Sequence, residues 1–282
     1  EEFDIGAYTS LPSNKTKTIL IIDNWDNLSS KYVMFHQPDH TVVWGEQTRI
    51  HGIIYQGIKP EKITALGTPR FYCYSKNFTI KKEDNHSLPK LPEDYVLFVG
   101  TQNYLNEDLV LKKLKKVIKD KFNNLQLIYR PHPWREFNKK VKKVGGVILD
   151  PTLTIQSDKY GSLLLPNLDL YNHIISNALM IVGSCTSLVV ESSLMRKPYL
   201  LLAHNDGNPI QTPLKNYMNR EHQNLTASLN NVSICFSLEN LYEHMHYLME
   251  KKIEASDSVL EHIISSKYQK FDYYLNQLIE KI

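Results

Sequence analysis

The sequence predicts an α/β protein of two doubly wound parallel-sheet domains, the first of them incomplete. Three observations carry this reading. Short apolar runs that suit buried strands alternate with helix-length amphipathic stretches. Most of the runs end at a Gly, an Asp or a Gly-Thr pair, as strand exits do. A polar stretch over residues 72–93, without period and rich in Lys, Asn, Ser and Pro, splits the alternation into a short and a long series.

The short series, residues 1–71, gives strands at Lys17–Asp23, Thr41–Trp44 and Lys62–Leu66, with a helix at Glu46–Gln56. The long series, 94–255, opens with the strand Tyr95–Val99 and a basic helix over 105–122. It continues through strand Leu125–Tyr129, a short helix near 134–143, strand Val147–Leu149 and helix Tyr171–Asn177. Strand Ala178–Val182, helix Thr186–Arg196, strand Pro198–Ala203, strand Val232–Phe236 and a helix over 238–251 complete it. Right-handed crossovers then place helices on both faces of the sheet. Residues 256–281 carry an apolar stripe from Val259 to Ile279 and read as one long closing helix whose stripe needs burial. The first series has only three strands, and the chain begins Glu1-Glu2-Phe3 with neither Met nor an apolar signal core. A leading portion of that domain is therefore expected upstream.

Composition narrows the function classes. The 282 residues are 42% hydrophobic and 22% charged, too apolar for a disordered chain. No run of about 18 apolar residues exists to span a membrane. Three scattered cysteines fit neither a disulfide framework nor a zinc site and point to a reducing compartment. Six N-x-S/T sequons fit chance in a chain rich in Asn, Ser and Thr. A net charge of +3 does not argue for nucleic acid. Between Leu105 and Gly146, however, twelve Lys/Arg face four Asp/Glu. That stretch is either a solvated helix face or a contact for an anionic membrane or acidic glycan.

Three strand exits carry candidate chemistry. After Ala178–Val182, Gly183 leads into Ser184, Cys185, Thr186 and Ser187 at a helix start, with Glu191 one turn in. Hydroxyls and free N–H groups there can cap the helix or hold a phosphate, and the carboxylate suits a ribose diol. Arg130-Pro131-His132-Pro133 holds a histidine between two prolines, beside Arg130 and Arg135, as an anion site or simply a rigid exit. Asp23-Asn24-Trp25-Asp26-Asn27 surrounds an indole with polar groups, as an Asx-rich turn or a substrate loop with a general base. No GxGxxG, P-loop, GxSxG or metal-binding DxD pattern accompanies them, so no metal and no cofactor are expected.

Together these residues resemble the CDP-glycerol glycerophosphotransferase group and related capsule and lipopolysaccharide glycosyltransferases of the GT-B fold. The resemblance covers about residues 20–205. It rests on Thr186, Ser187, Glu191, Lys197 and Pro198, on Tyr129–Pro133, on Gly67–Phe71 and on Trp25–Lys31. Two departures stand out: Ser184 where the group often has an acid, and Arg196 where it has a small residue.

The resemblance implies two Rossmann-like domains, a closing helix over 256–282 that packs back on the first, and a metal-independent transfer from a nucleotide sugar or CDP-polyol to a glycan or glycolipid acceptor. It implies a cytoplasmic protein, peripheral at the inner face of the membrane. Donor-binding candidates are Gly100, Thr101, Arg130, His132, Ser184, Thr186, Ser187 and Glu191; catalytic candidates are Asp26 and His132; acceptor-side candidates are Trp25, Asn27 and His36. The rival readings are a nucleotide-sugar 2-epimerase of the same fold and a non-catalytic nucleotide-binding relic.

Overall fold

The computed structural model describes residues 16–31, 33–74, 88–101, 105–132, 145–158, 161–166, 170–208, 210–254 and 257–282. Residues 75–87 of the expected linker and the expected helix near 134–143 lie outside them, as does Arg135.

The chain first builds a small sheet from β1 (Ile19–Ile21), β2 (His40–Val43) and β3 (Ile63–Ala65), with α1 (Glu46–Gln56) between the last two. All three strands are parallel, with β2 central. The second series gives β4 (Tyr95–Val99), α2 (Glu107–Lys121), β5 (Gln126–Arg130) and β6 (Ile148–Leu149), then a hairpin of β7 (Leu153–Asp158) and β8 (Gly161–Pro166). It continues with α3 (Tyr171–Asn177), β9 (Met180–Gly183), α4 (Leu188–Leu194), β10 (Tyr199–Leu202), α5 (Pro213–Asn219), β11 (Val232–Cys235) and α6 (Leu241–Glu250). The six-stranded sheet is wholly parallel in the order β6-β5-β4-β9-β10-β11. The chain winds outward from β4 in one direction and then outward from β9 in the other. The crevice between those two strands is where such a sheet can admit a ligand.

Burial follows the two-residue period of the strands. Tyr95, Leu97, Val99, Ile181, Tyr199 and Leu201 face one side, against Ile174, Ile175, Val189 and Val190. Val96, Phe98, Met180, Val182, Leu200 and Leu202 face the other, against Val110, Leu114, Leu241 and Met245. Each such side chain contributes about 1.5–3 kcal/mol on leaving water. The first of these clusters also takes in Trp25, Trp44 and Phe71 from the small sheet, so the two sheets share one core.

The lysines of α2 lie over this second face. Lys113 pairs with Glu239 at 2.5 Å, Lys115 donates to the Gly145 carbonyl, and Lys121 lies over the Tyr242 ring.

The expected single closing helix is broken in two. Asp257 caps α7 (Ser258–Ile263), accepting from Val259 N and Leu260 N. Ile264 then turns extended, and the Ser265 N–H donates to the Trp44 carbonyl at 2.8 Å. Ser265 caps a 3-10 turn over Ser266–Lys270, which leads into α8 (Phe271–Ile279). The break occurs because the chain end must contact two things at once: the end of β2 through its backbone, and Ile19, Val42 and Leu66 through Phe271, Tyr274, Leu275 and Leu278. Two elements were absent from the sequence reading, the β7–β8 hairpin and α5. The second has a legible signal in Thr212-Pro213, a capping hydroxyl that accepts from Lys215 N followed by proline in the first helical turn.

Gly45 is the tightest point of the α7 contact. A Cβ there would stand 2.3 Å from the Ile263 carbonyl oxygen and 2.6 Å from that of His262, both backbone atoms that cannot swing away. Gly45→Ala is expected to cost about 1–3 kcal/mol of stability, the usual overpacking range, read as a lower thermal unfolding midpoint. An unchanged midpoint would show that the closing segment is not held against β2.

Candidate functional site

A cavity of about 330 Å³ opens at the carboxyl ends of β4, β5 and β9 and is closed on its other side by the loop after β1. Among the described residues its lining holds the basic side chains Lys31, Arg70, Arg130 and Arg220 and the acidic side chains Asp26 and Glu191.

Gly100 and Thr101 form the exit of β4. The Thr101 N–H donates to Glu107 Oε1 at 2.7 Å, while Tyr129 donates to Glu107 Oε2. A Cβ at Gly100 would meet Glu107 Oε1 at 2.7 Å, so glycine is what allows the buried carboxylate to hold this backbone. Glu107 escaped the sequence reading, where it looks like an ordinary first-turn acid of α2.

Arg130 at the end of β5 is 4% exposed. Its Nη1 is held by Asp150 and lies 3.2 Å from Thr152 Oγ1; Asp150 also accepts from Thr152 N at 2.8 Å, and the guanidinium stands 4.0 Å from the Tyr171 ring centroid. Burial pulls the Arg130 pKa down, but Tyr171 and Asp150 outweigh it, so the group is held charged. Its Nη2 has no hydrogen bond among the described residues. His132 lines the same wall.

The turn after β9 divides the expected anion ligands. Thr186 and Ser187 line the cavity, whereas Ser184 is fully buried and its hydroxyl donates to the Leu202 carbonyl at 3.0 Å. Ser184 therefore ties the turn to β10 instead of facing the cavity. Helix α4 begins at Leu188, and Ser187 at its cap position makes no side-chain capping bond, so capping does not account for its hydroxyl; that of Thr186 lies 3.4 Å from the Tyr199 hydroxyl. Tyr199 reaches under the turn, donating to the Ser184 carbonyl at 2.9 Å.

Glu191 lines the cavity from α4, only 2% exposed. Its Oε1 accepts from Arg70 Nη2 at 3.0 Å, and its Oε2 has no hydrogen bond among the described residues. Burial pushes the Glu191 carboxyl up from its usual range, against the pull of Arg70 and then Arg130. Arg70 also stacks over Trp44 and Phe71, at 5.8 and 5.6 Å from their ring centroids.

On the loop after β1, Trp25 stacks on Trp44 at 6.3 Å and donates to Gln47 Oε1 at 2.9 Å, so the indole pins the loop. Asp26 faces the cavity, 3.1 Å from Lys31 and 3.6 Å from Arg220. Asn27 is buried and His36 is exposed; neither lines the cavity. Among the described residues no cluster of metal-ligating side chains occurs. Arg220 and His222, in the segment between α5 and β11, line the cavity without having been singled out from sequence.

His222 packs edge-on against Trp25 at 5.2 Å and is 3% exposed. Burial lowers its pKa from 6.5 to about 4, against an opposing pull from Asp26. The unfolded chain therefore takes up this proton first. The contribution to stability is complete above about 6.5 and is lost as pH falls toward about 4. Urea unfolding of the parent should lose on the order of 3 kcal/mol through this group across that window. His222→Gln should show a shallower acid slope; an identical slope would mean that the ring is hydrated in the folded protein.

No family model and no curated protein matches the chain. Solved structures do. A variant of the wall teichoic acid polymerase TagF superposes with a TM-score of 0.56 at 12% identity, over 86% of this chain and 57% of that one. The UDP-GlcNAc 2-epimerase of Methanocaldococcus jannaschii, in complex with UDP-GlcNAc and UDP, gives 0.52 at 14% identity, over 85% and 61%. A putative UDP-N-acetylglucosamine 2-epimerase from Listeria monocytogenes gives 0.53 at 12%, over 86% and 59%. The chain thus spans about three-fifths of the length of these matches. Two parallel sheets meeting at a cleft, with these neighbours, give the chain a GT-B-like fold.

Proposed function

We propose that this chain forms the donor cleft of a metal-independent GT-B glycosyltransferase, or of a polyol-phosphate transferase, that works on a nucleotide-activated donor. The observation that carries the reading is the cavity itself. Fixed cations and the hydroxyls of Thr186 and Ser187 converge at the switch point of a parallel sheet, beside a buried Glu191 oxygen that has no hydrogen bond among the described residues. Arg130, braced by Asp150 and Tyr171, is a charge that needs no reorganisation when a phosphate leaves. Thr186 and Ser187 would hold the phosphates beside the Gly100-Thr101 exit, whose own N–H groups are engaged by Arg130 and Glu107, and Glu191 would hold the ribose.

In the transfer, the acceptor hydroxyl oxygen forms the new bond to the donor's reacting atom. Its proton passes to Asp26, and the bond to the nucleotide phosphate breaks. The electron pair stays on that phosphate, facing Arg130 and His132. The acceptor is a glycan or glycolipid of cell-surface polymer assembly, and the site of action is the cytoplasmic face of the membrane.

A 2-epimerase would use the same cleft for a different outcome, and the neighbouring folds include such enzymes. It needs several carboxylates at the sugar. Among the described lining residues only Asp26 and Glu191 are carboxylates, and Glu191 is engaged by Arg70. Product analysis with a donor panel separates the two: a glycoside or polyol phosphate ester supports transfer, and an epimerised nucleotide sugar overturns it.

A thermal-shift panel of CMP, CDP, UDP, GDP and dTDP should single out one base, adding about 2.7 kcal/mol at a hundred times its Kd. Absence of any shift would sink the donor-cleft reading. Since Ser187 makes no capping bond to α4 and Thr186 bonds only the Tyr199 hydroxyl, at 3.4 Å, among the described residues, replacing both by Ala should weaken nucleotide binding about ten-fold or more with about 1 kcal/mol or less of lost stability. A stability loss at unchanged affinity would reduce the turn to a structural role. His132→Ala should lower kcat more than it raises the donor KM, because charge on the leaving phosphate grows only toward the transition state. Unchanged turnover would remove His132 from the chemistry.

A further inference from the structure

Gln47 stands in the first turn of α1, 4% exposed and outside the cavity lining. Its side-chain amide spans two segments that do line the cavity. Oε1 accepts from Trp25 Nε1 at 2.9 Å, on the loop that carries Asp26. Nε2 donates to the His222 carbonyl at 3.2 Å and to Asn224 Oδ1 at 3.0 Å, on the segment that carries Arg220. The amide orientation is forced, since an indole N–H can only donate and a backbone carbonyl can only accept. The same two segments meet again at the cavity, where Asp26 lies 3.6 Å from Arg220 and the His222 ring packs edge-on against Trp25. Trp25 and Gln47 belong to the short series and residues 220–224 to the long one, so one buried amide bridges the two.

We infer that Gln47 is a positioning residue: through Trp25 on one side and the 222–224 segment on the other, it sets where Asp26 stands relative to Arg220. The inference rests on the reading of Asp26 as the base of the transfer; the bridge itself does not. Stacking on Trp44 restrains the Trp25 indole along the stack, whereas the in-plane N–H bond to Gln47 opposes sliding and rotation of the ring. Asp26 follows Trp25 directly in the chain, so a displaced indole carries the carboxylate with it. None of the three bonds of Gln47 goes to Arg130, Thr186, Ser187 or Glu191, the groups proposed to hold the donor. Loss of the bridge therefore misplaces the base while leaving the donor contacts in place.

Two variants and two readouts test it. Gln47→Met keeps the side-chain length and loses all three bonds. Asn224→Ala removes one acceptor at the far end of the amide, and Asn224 is exposed, so this variant should fold as the parent does. Hydrogen exchange of the Trp25 indole N–H, followed by NMR, reads the bridge without any turnover. It should quicken about ten-fold in Gln47→Met, the worth of one hydrogen bond, and about three-fold in Asn224→Ala. With the donor that product analysis identifies, kcat should fall in the same order, about ten-fold and about three-fold, while the donor KM stays within about two-fold of the parent. Exchange in Asn224→Ala that matches the parent would overturn the bridge. A parent-like kcat in Gln47→Met, or a loss taken up by KM, would overturn the positioning role. If no donor is turned over by the parent, the donor-cleft reading fails and the role of Asp26 with it, whereas faster exchange in both variants would still establish the bridge.

Discussion

The ion pair between Arg70 and Glu191 is the interaction on which the cleft depends. Arg70 belongs to the 3-10 turn that follows the small sheet, and Glu191 to a helix on the large one, so their contact fixes the relation of the two sheets at the cavity. The Glu191 carboxylate is buried while the Arg70 side chain keeps 26% of its surface in water, so Glu191 loses most of its hydration and recovers it only through a partner in good geometry. Arg70 gains a further restraint by lying over Trp44 and Phe71, themselves packed edge to face at 4.8 Å. The aromatic column through Trp25, Trp44 and Phe71 is therefore more than filler between the sheets. It carries the guanidinium on one side and the Asp26 loop on the other.

Around this pair, the cavity walls are made of groups whose positions are settled elsewhere. The β4 exit is held by a buried carboxylate, the β5 exit by Asp150 and Tyr171, and the β9 turn by Tyr199. A Cβ at Gly183 would meet Val99 Cγ2 at 2.4 Å and the Tyr199 hydroxyl at 2.5 Å, so the turn can come this close to β4 and β10 only with glycine there. In each case a second layer of buried polar contacts orients the backbone or side chain that faces the open space. Such preorganisation is what lets a fixed dipole or charge act on a leaving group without moving first.

Much of this could be read from sequence because its causes are local. Strands such as Tyr95–Val99 announce themselves as unbroken apolar runs, and α1 was expected at the bounds it has, Glu46–Gln56. What could not be read depends on distant partners. Ser184 and Thr186 are chemically alike and two residues apart, yet one is consumed by Leu202 and the other lines the cavity. Arg220 and His222 look like ordinary surface residues until the fold brings them to the cavity wall, and Glu107 until it is buried behind that wall, holding the Thr101 N–H. The closing segment shows the same limit. Its apolar stripe was legible, but its interruption at Ile264-Ser265 answers to a backbone bond from Trp44, more than two hundred residues earlier.

The segment that leaves the small sheet and the closing segment lie side by side where they are described. Gly67, at φ +82°, lies so close to the closing segment that a Cβ there would sit 2.5 Å from Tyr268 Cβ and 3.1 Å from the Ser265 carbonyl oxygen. A side chain at that position would have to push the two segments apart from a left-handed backbone that already disfavours it. Arg70 stands only three residues further on, so the guanidinium that meets Glu191 at the cavity owes its place in part to a hydrogen atom at Gly67.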